Sequence, residues 1–233
     1  MITDSDLVAA LTASLLPQGV AVAAQIVAPP KGDPPEVEAS AVQRAIPQRR
    51  AEFHSGRDAA RRAMVHLGVT PQPVPMANDR APVWPEGLVG SITHADGMCI
   101  AAVALSTTLA GIGIDLEPAA PLPRELIAEV TTPPERTWLQ DQPEAERGLM
   151  ARLIFSAKEA AYKAQYPLSQ SLFGFDGMTL HIDRDTARFT ARFTAPQGPF
   201  ARGQTLAGRY VHAAGVLVTA VTIGHDAARG NRE

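Results

Sequence analysis

Asp115 and Glu117 stand one residue apart in Gly111-Ile112-Gly113-Ile114-Asp115-Leu116-Glu117, a stretch that reads as a strand closed by Pro118. A strand period of two puts both carboxylates on one face. Two adjacent carboxylates repel unless a cation or a proton lies between them. A solvated edge strand is the plainer alternative, and the apolar approach through Ile112 and Ile114 argues against it. Oxygen-only ligands favour a hard cation, Mg²⁺ or Mn²⁺, over zinc. The sequence offers no paired Cys/His pattern for another metal.

A second cluster is Phe155-Ser-Ala-Lys158-Glu159-Ala-Ala-Tyr162-Lys163. Glu159 and Lys163 are four apart and share a helix face. Alone they form an i,i+4 surface pair worth a few tenths of a kcal/mol. Beside a carboxylate pair they can add a metal ligand and a phosphate-neutralising ammonium. A third cluster is basic: Arg49, Arg50, Arg57, Arg61 and Arg62. It is either a solvated helix face or a set of guanidinium forks for phosphate oxygens. His94 follows Ser91-Ile92-Thr93 at a strand end, within reach of a ligand, although a lone histidine is more often structural. Carboxylates with a cation, ringed by lysine and arginine, make a pyrophosphate site. Gly111-x-Gly113 lacks the third glycine and following helix of a dinucleotide fingerprint, and no P-loop is present.

These groups need elements to carry them. Helices are expected over 1–16, 51–67, 123–130, 133–139 and 143–165, and strands over 19–27, 88–93, 98–105 and 111–117. A proline-rich loop covers 29–35, irregular chain covers 70–87, and mainly strands follow from 178 to 223. Two segments echo each other. His94-x-x-Gly97 runs into an apolar strand, as does His212-x-x-Gly215. Upstream, Arg57-Asp-Ala-Ala-Arg61 parallels Lys158-Glu-Ala-Ala-Tyr162. The repeated order implies a duplication: two similar α+β halves about a pseudo-twofold axis, with a ligand cleft between them. The halves are set at 1–112 and 113–225, followed by a flexible tail, 226–233. A length of 233 residues, 45% hydrophobic and 19% charged, is that of an ordinary soluble globular protein. A net charge of −3 gives no drive toward nucleic acid or membrane. Cys99, the single cysteine, sits in an apolar run and reads as a buried thiol of a reducing compartment. No apolar stretch approaches a membrane span, and the acidic N-terminus is unlike a signal peptide, so a cytoplasmic monomer is expected.

The Gly-Ile-Gly-Ile-Asp115-Leu-Glu117 and Phe155–Lys163 segments resemble the paired signature of 4'-phosphopantetheinyl transferases. Arg49-Arg50-Ala-Glu52-Phe53-x-x-Gly56-Arg57 and Trp84-Pro85-x-Gly87-x-Val-Gly90-Ser91-Ile-Thr93-His94 are similar to the branch that serves siderophore synthetases. The resemblance runs from about residue 15 to 223. It implies that Asp115, Glu117 and Glu159 hold Mg²⁺ on the pyrophosphate of coenzyme A, with Mn²⁺ as a substitute. Glu159, or a water it orients, would take the proton of a carrier-protein serine. Lys163, with Lys158 beside it, would stabilise the leaving 3',5'-ADP. Arg49, Arg57, Thr93 and His94 would grip the nucleotide, and Arg80 would stand in for a lysine that relatives carry in the 76–80 segment. Phe173 would lie near the pantetheine arm. The partners implied are coenzyme A and an apo acyl or peptidyl carrier, in siderophore or other secondary metabolism. The loop from Tyr166 to Phe175 is apolar enough to dock that carrier through Leu168, Leu172 and Phe173. Two rivals are a non-catalytic module that binds coenzyme A or carrier, and a Mg²⁺-dependent nucleotide pyrophosphatase.

Overall fold

The structure, a computed structural model, describes residues 4–228. The chain divides into two compact units, Met1–Leu109 and Ala110–Glu233. This division lies three residues before the expected boundary at 112, which leaves the whole Gly111–Pro118 strand in the second unit.

The first unit runs α1 (Ser5–Ser14), β1 (Val20–Ile26), α2 (Glu36–Ala39), α3 (Pro47–His66), β2 (Leu88–Ala95) and β3 (Met98–Leu105). The Asp4 carboxylate caps α1 by accepting from Leu7 N at 2.9 Å. Pro47 opens α3 at a position where its missing N–H costs nothing. The sheet has the order β1-β3-β2 with antiparallel pairing. Fully buried Ala59, Ala60 and Ala63 pack with Ala23, Ala101 and Val103, so α3 lies close on the sheet. The proline-rich loop is followed by a helical piece at 36–42, beyond the elements expected from the sequence.

The second unit runs β4 (Gly111–Pro118), α4 (Arg124–Val130), α5 (Pro133–Gln140), α6 (Glu144–Ser169), β5 (Met178–Asp183), β6 (Arg188–Phe193), β7 (Thr205–Ala213), β8 (Val216–Ile223) and α7 (His225–Ala228). Its sheet has the order β4-β8-β7-β6-β5. Of the expected flexible tail, 226–228 belong to α7 and 229–233 lie outside the described residues. Helix α6 continues past the expected end at 165, through Pro167, until Gln170 closes it at φ 52° and donates to Tyr166 O at 2.9 Å. The Tyr162 and Tyr166 rings stack 5.6 Å apart along that last stretch.

The two units are similar α+β halves. Strands β4, β8 and β7 repeat the order β1-β3-β2, with α6 in the place of α3, and β5 and β6 extend the second sheet. The sequence echo is a pair of equivalent hairpins. Asp96-Gly97 joins β2 to β3 at φ 48° and 82°, and Ala214-Gly215 joins β7 to β8 at 52° and 76°. Positive φ at both central residues marks a type I′ turn. Among the described residues, no helix is long and apolar enough to cross a membrane.

Candidate functional site

Gly111, Gly113, Asp115 and Glu117 alternate along β4, so all four share one face. That face meets α6. A Cβ on Gly113 would run into Ala160 O, and one on Gly111 into Ala164 O. Two strand residues rise about 6.6 Å and four helix residues about 6 Å. The glycines therefore match successive turns of an antiparallel helix, and the carboxylates fall level with earlier turns. Long side chains on a helix lean toward its N-terminus, which carries Lys163 back toward Asp115. Lys163 Nζ donates to Asp115 Oδ1 at 2.6 Å and to Ile114 O at 3.3 Å. Arg152 donates to Glu117 Oε2 at 2.6 Å, to Ala120 O at 3.2 Å and to Pro121 O at 3.0 Å. The Thr219 hydroxyl on β8 donates to Ser156 O at 2.9 Å, fixing α6 to the strand beside β4.

Glu159 is half-buried, and burial pushes its carboxyl above the ordinary glutamate range; Lys163 opposes this and the Asp115 charge adds to it. Burial also raises Glu117, and Asp115 adds to that shift against Arg152 and Lys163. An open pocket of about 170 Å³ lies beside Glu159, lined by Lys158, Tyr162, Phe173, Gly174, Phe175 and Met178. Phe173 packs edge-on to Tyr162 at 5.2 Å and flush against Gly177. Lys158 faces inward, only 3% exposed, and bonds Glu135 of α5, itself 2% exposed, at 2.8 Å. Of the apolar loop residues, Leu168 and Phe173 pack on the core and Leu172 is 73% exposed.

In the first unit, His94 Nε2 lies 2.6 Å from Arg49 Nη1 and 3.8 Å from Glu52 Oε2. Thr93 is buried on the opposite face of β2. Arg57 is buried, with its guanidinium 3.8 Å over the Phe53 ring and Nε donating to Val74 O at 3.2 Å. Burial pulls Arg57 down to about 10, with Glu38 opposing, so it stays charged at neutral pH. Arg61 donates to buried Glu38 at 2.6 Å and also pairs with Asp58, so it supports α3 from within the unit. Arg80 sits exposed in a turn at φ 72°. Arg152 and Glu135 are site residues that the motifs in the sequence do not single out. Arg152 precedes Glu159 by seven residues, two helical turns on the same face, and that spacing could have revealed it. Glu135 shows only as the end of a Thr132-x-x-Glu135 capping box.

Among the described residues, no group of three or more His, Cys, Asp or Glu comes together in a way that could hold a metal ion. The donor chemistry still suits a hard cation. Mg²⁺ is commonly held by one or two carboxylates, with waters and substrate phosphates completing its shell. Asp115 and Glu117 meet that demand in kind. The Asp115 charge already works against ionisation of Glu117 and Glu159, a conflict that a divalent cation would relieve.

Residues 37–104 match the family model described as the 4'-phosphopantetheinyl transferase N-terminal domain, and 111–215 that of the 4'-phosphopantetheinyl transferase superfamily. The chain is 42% identical over 197 residues to 4'-phosphopantetheinyl transferase Svp of Streptomyces mobaraensis, covering 80% of this chain and 77% of that protein. It is 34% identical over 228 residues to 4'-phosphopantetheinyl transferase PptT of Mycobacterium tuberculosis, covering 93% and 99%. It is 37% identical over 125 residues to enterobactin synthase component D of Escherichia coli, covering 53% and 58%.

Proposed function

The chain belongs to the 4'-phosphopantetheinyl transferase superfamily, and from that premise we propose that it moves the phosphopantetheine arm of coenzyme A onto a serine of an apo carrier protein. The observation that carries the reading is the β4–α6 junction, where Lys163 meets Asp115 at 2.6 Å and Glu159 borders an open pocket. The serine oxygen forms a bond to the phosphorus that bears the pantetheine arm. The pyrophosphate P–O bond breaks, and 3',5'-ADP leaves. Glu159, or a water it orients, takes the serine proton. Lys163 places its ammonium where charge grows on the leaving oxygens.

Asp115 and Glu117, with Glu159, are the residues we assign to Mg²⁺. When bound, the ion would neutralise charge on the phosphoryl oxygens. To the first unit we assign the nucleotide: Arg49 and His94 as a contacting pair, Arg57 held by Phe53, and Thr93 and Arg80 beside them in role. Phe173 is assigned to the pantetheine arm. Relatives named enterobactin synthase component D support a carrier in siderophore or related secondary metabolism. A cytoplasmic monomer is the simplest form in which the chain would meet it. The test is incubation of the protein with coenzyme A, Mg²⁺ and an apo carrier, read by mass spectrometry. The carrier should gain the mass of the arm on one serine. An unmodified panel of peptidyl and acyl carriers would sink the reading, and cleavage of coenzyme A without any carrier would replace it with a pyrophosphatase.

A further inference from the structure

Lys158 directly precedes the proposed base, yet its ammonium is fully engaged inside the protein. It donates to Glu135 Oε2 at 2.8 Å, Val130 O at 2.9 Å and Phe175 O at 2.7 Å. An ammonium has three N–H groups, and three acceptors are present. Glu135 is equally committed: Oε2 also accepts from Thr132 N at 2.6 Å, and Oε1 accepts from Leu180 N at 2.7 Å. One buried ion pair thus ties together the end of α4, the start of α5, α6, the segment after α6 and strand β5. Phe175, one of its acceptors, lines the pocket beside Glu159 together with Phe173 and Gly174.

We propose that Lys158 and Glu135 form a buried latch that holds the 173–175 wall of the Glu159 pocket, so that Lys158, although its side chain borders that pocket, is a positioning residue whose ammonium does not touch the substrate. A buried pair is a poor source of net stability, because desolvating two ions offsets their attraction. It is a strong source of geometry, because either ion left alone is heavily penalised. Surface reach is what a phosphate-binding lysine needs, and Lys163 is 27% exposed where Lys158 is 3% exposed. The latch also anchors the short 3-10 turn at Phe175–Gly177 that closes the pocket wall: its first carbonyl is bonded to a buried charge.

The inference rests on the transferase reading only for its kinetic arm. The chain has three lysines, Lys31, Lys158 and Lys163, so acylation of the folded wild-type protein followed by peptide mass spectrometry resolves each. Lys163 should react and coenzyme A should protect it, while Lys158 stays unmodified with or without coenzyme A. Lys158 that reacts, and is protected by coenzyme A, overturns the proposal. In the second arm, Lys158→Met and Glu135→Gln each strand a charge or donor, and amide exchange over 172–177 should rise at least tenfold. Either single variant should raise KM for coenzyme A more than it lowers kcat. The double variant removes both charges, and the glutamine amide can donate to a freed carbonyl. It should regain exchange protection and come within about tenfold of wild-type turnover. Wild-type exchange in both single variants overturns the latch. A double variant with restored exchange protection and turnover still down more than a hundredfold returns Lys158 to the reacting atoms. Failure of the wild-type protein to modify a carrier would sink the transferase reading and leave the labelling and exchange results to judge the latch.

Discussion

Asp115 is nearly buried, and its carboxylate is held by Lys163 of the facing helix. Removing it takes away one proposed metal ligand and the anchor of the proposed leaving-group cation together. Lys163 retains a carbonyl partner in Ile114 and some access to solvent, so the fold should survive. Asp115→Ala is expected to lose at least about 10²-fold in transfer, the scale of one lost electrostatic contact in an active site. Its circular dichroism and melting should stay close to wild type, and normal turnover at limiting Mg²⁺ would contradict the assignment. Cys99 shows a different residue-scale effect. It is fully buried, Sγ donates to Glu52 O at 3.4 Å, and burial, with Glu52 adding, pushes the thiol up to about 12 from an ordinary 9. The folded value is raised, so the stability it contributes is complete below about pH 9 and is lost as pH climbs toward 12. Denaturant unfolding should show wild type losing stability faster than Cys99→Ala across that window, by at most about 1.4 kcal/mol per pH unit. Parallel pH curves for the two proteins would rule this out.

Elements act through the seam between β4 and α6. Alanine at 113 must displace the Ala160 carbonyl, which belongs to helix backbone and cannot rotate away. Overpacking costs about 1–3 kcal/mol, or roughly 2–12 °C in a chain of this size. Gly113→Ala should therefore melt several degrees lower and lose transfer in parallel, as Lys163 is moved off Asp115; an unchanged melting temperature would mean that the seam yields freely. The same seam shows what sequence can and cannot disclose. Alternation in 111–117 placed Asp115 and Glu117 on one face, and i,i+4 spacing placed Glu159 and Lys163 on another. The glycines fail a dinucleotide fingerprint, but their use against a helix backbone depends on Ala160 and Ala164, which lie far along the chain. Glu135 was unreadable for a related reason: a capping-box glutamate looks the same whether it faces water or a buried lysine. Helix α6 outran its expected end because Pro167 falls in the last turn, where a single lost N–H bond does not stop the helix.

At the scale of the whole molecule, a carrier protein must find one surface among many. The apolar 166–175 segment reads from its sequence as a docking loop, yet most of it is helix end or core lid. Tyr166 and Leu168 lie in α6, and Phe173 and Phe175 pack inward. Leu172 alone keeps a large apolar side chain in solvent, at 73% exposure, next to the pocket-lining Phe173. Leu172→Glu should raise the apparent KM for carrier several-fold and leave coenzyme A affinity unchanged in its absence, because a charge there would be stranded under the partner. Steady-state kinetics with a varied carrier, beside calorimetric titration of coenzyme A, reads both; a normal KM for carrier moves docking elsewhere.

The duplicated hairpins carry one last consequence. The β2–β3 turn places aspartate at its first left-handed position, and the β7–β8 turn places alanine there, at a cost of about 1–2 kcal/mol. Strand β2 has a single neighbour, so its turn is a main guarantee of its register. Strands β7 and β8 are also flanked by β6 and β4, and those ladders fix the register whatever the turn contains. Redundancy of that kind means that a change of residue at Ala214 should disturb strand pairing less than the same change at Asp96.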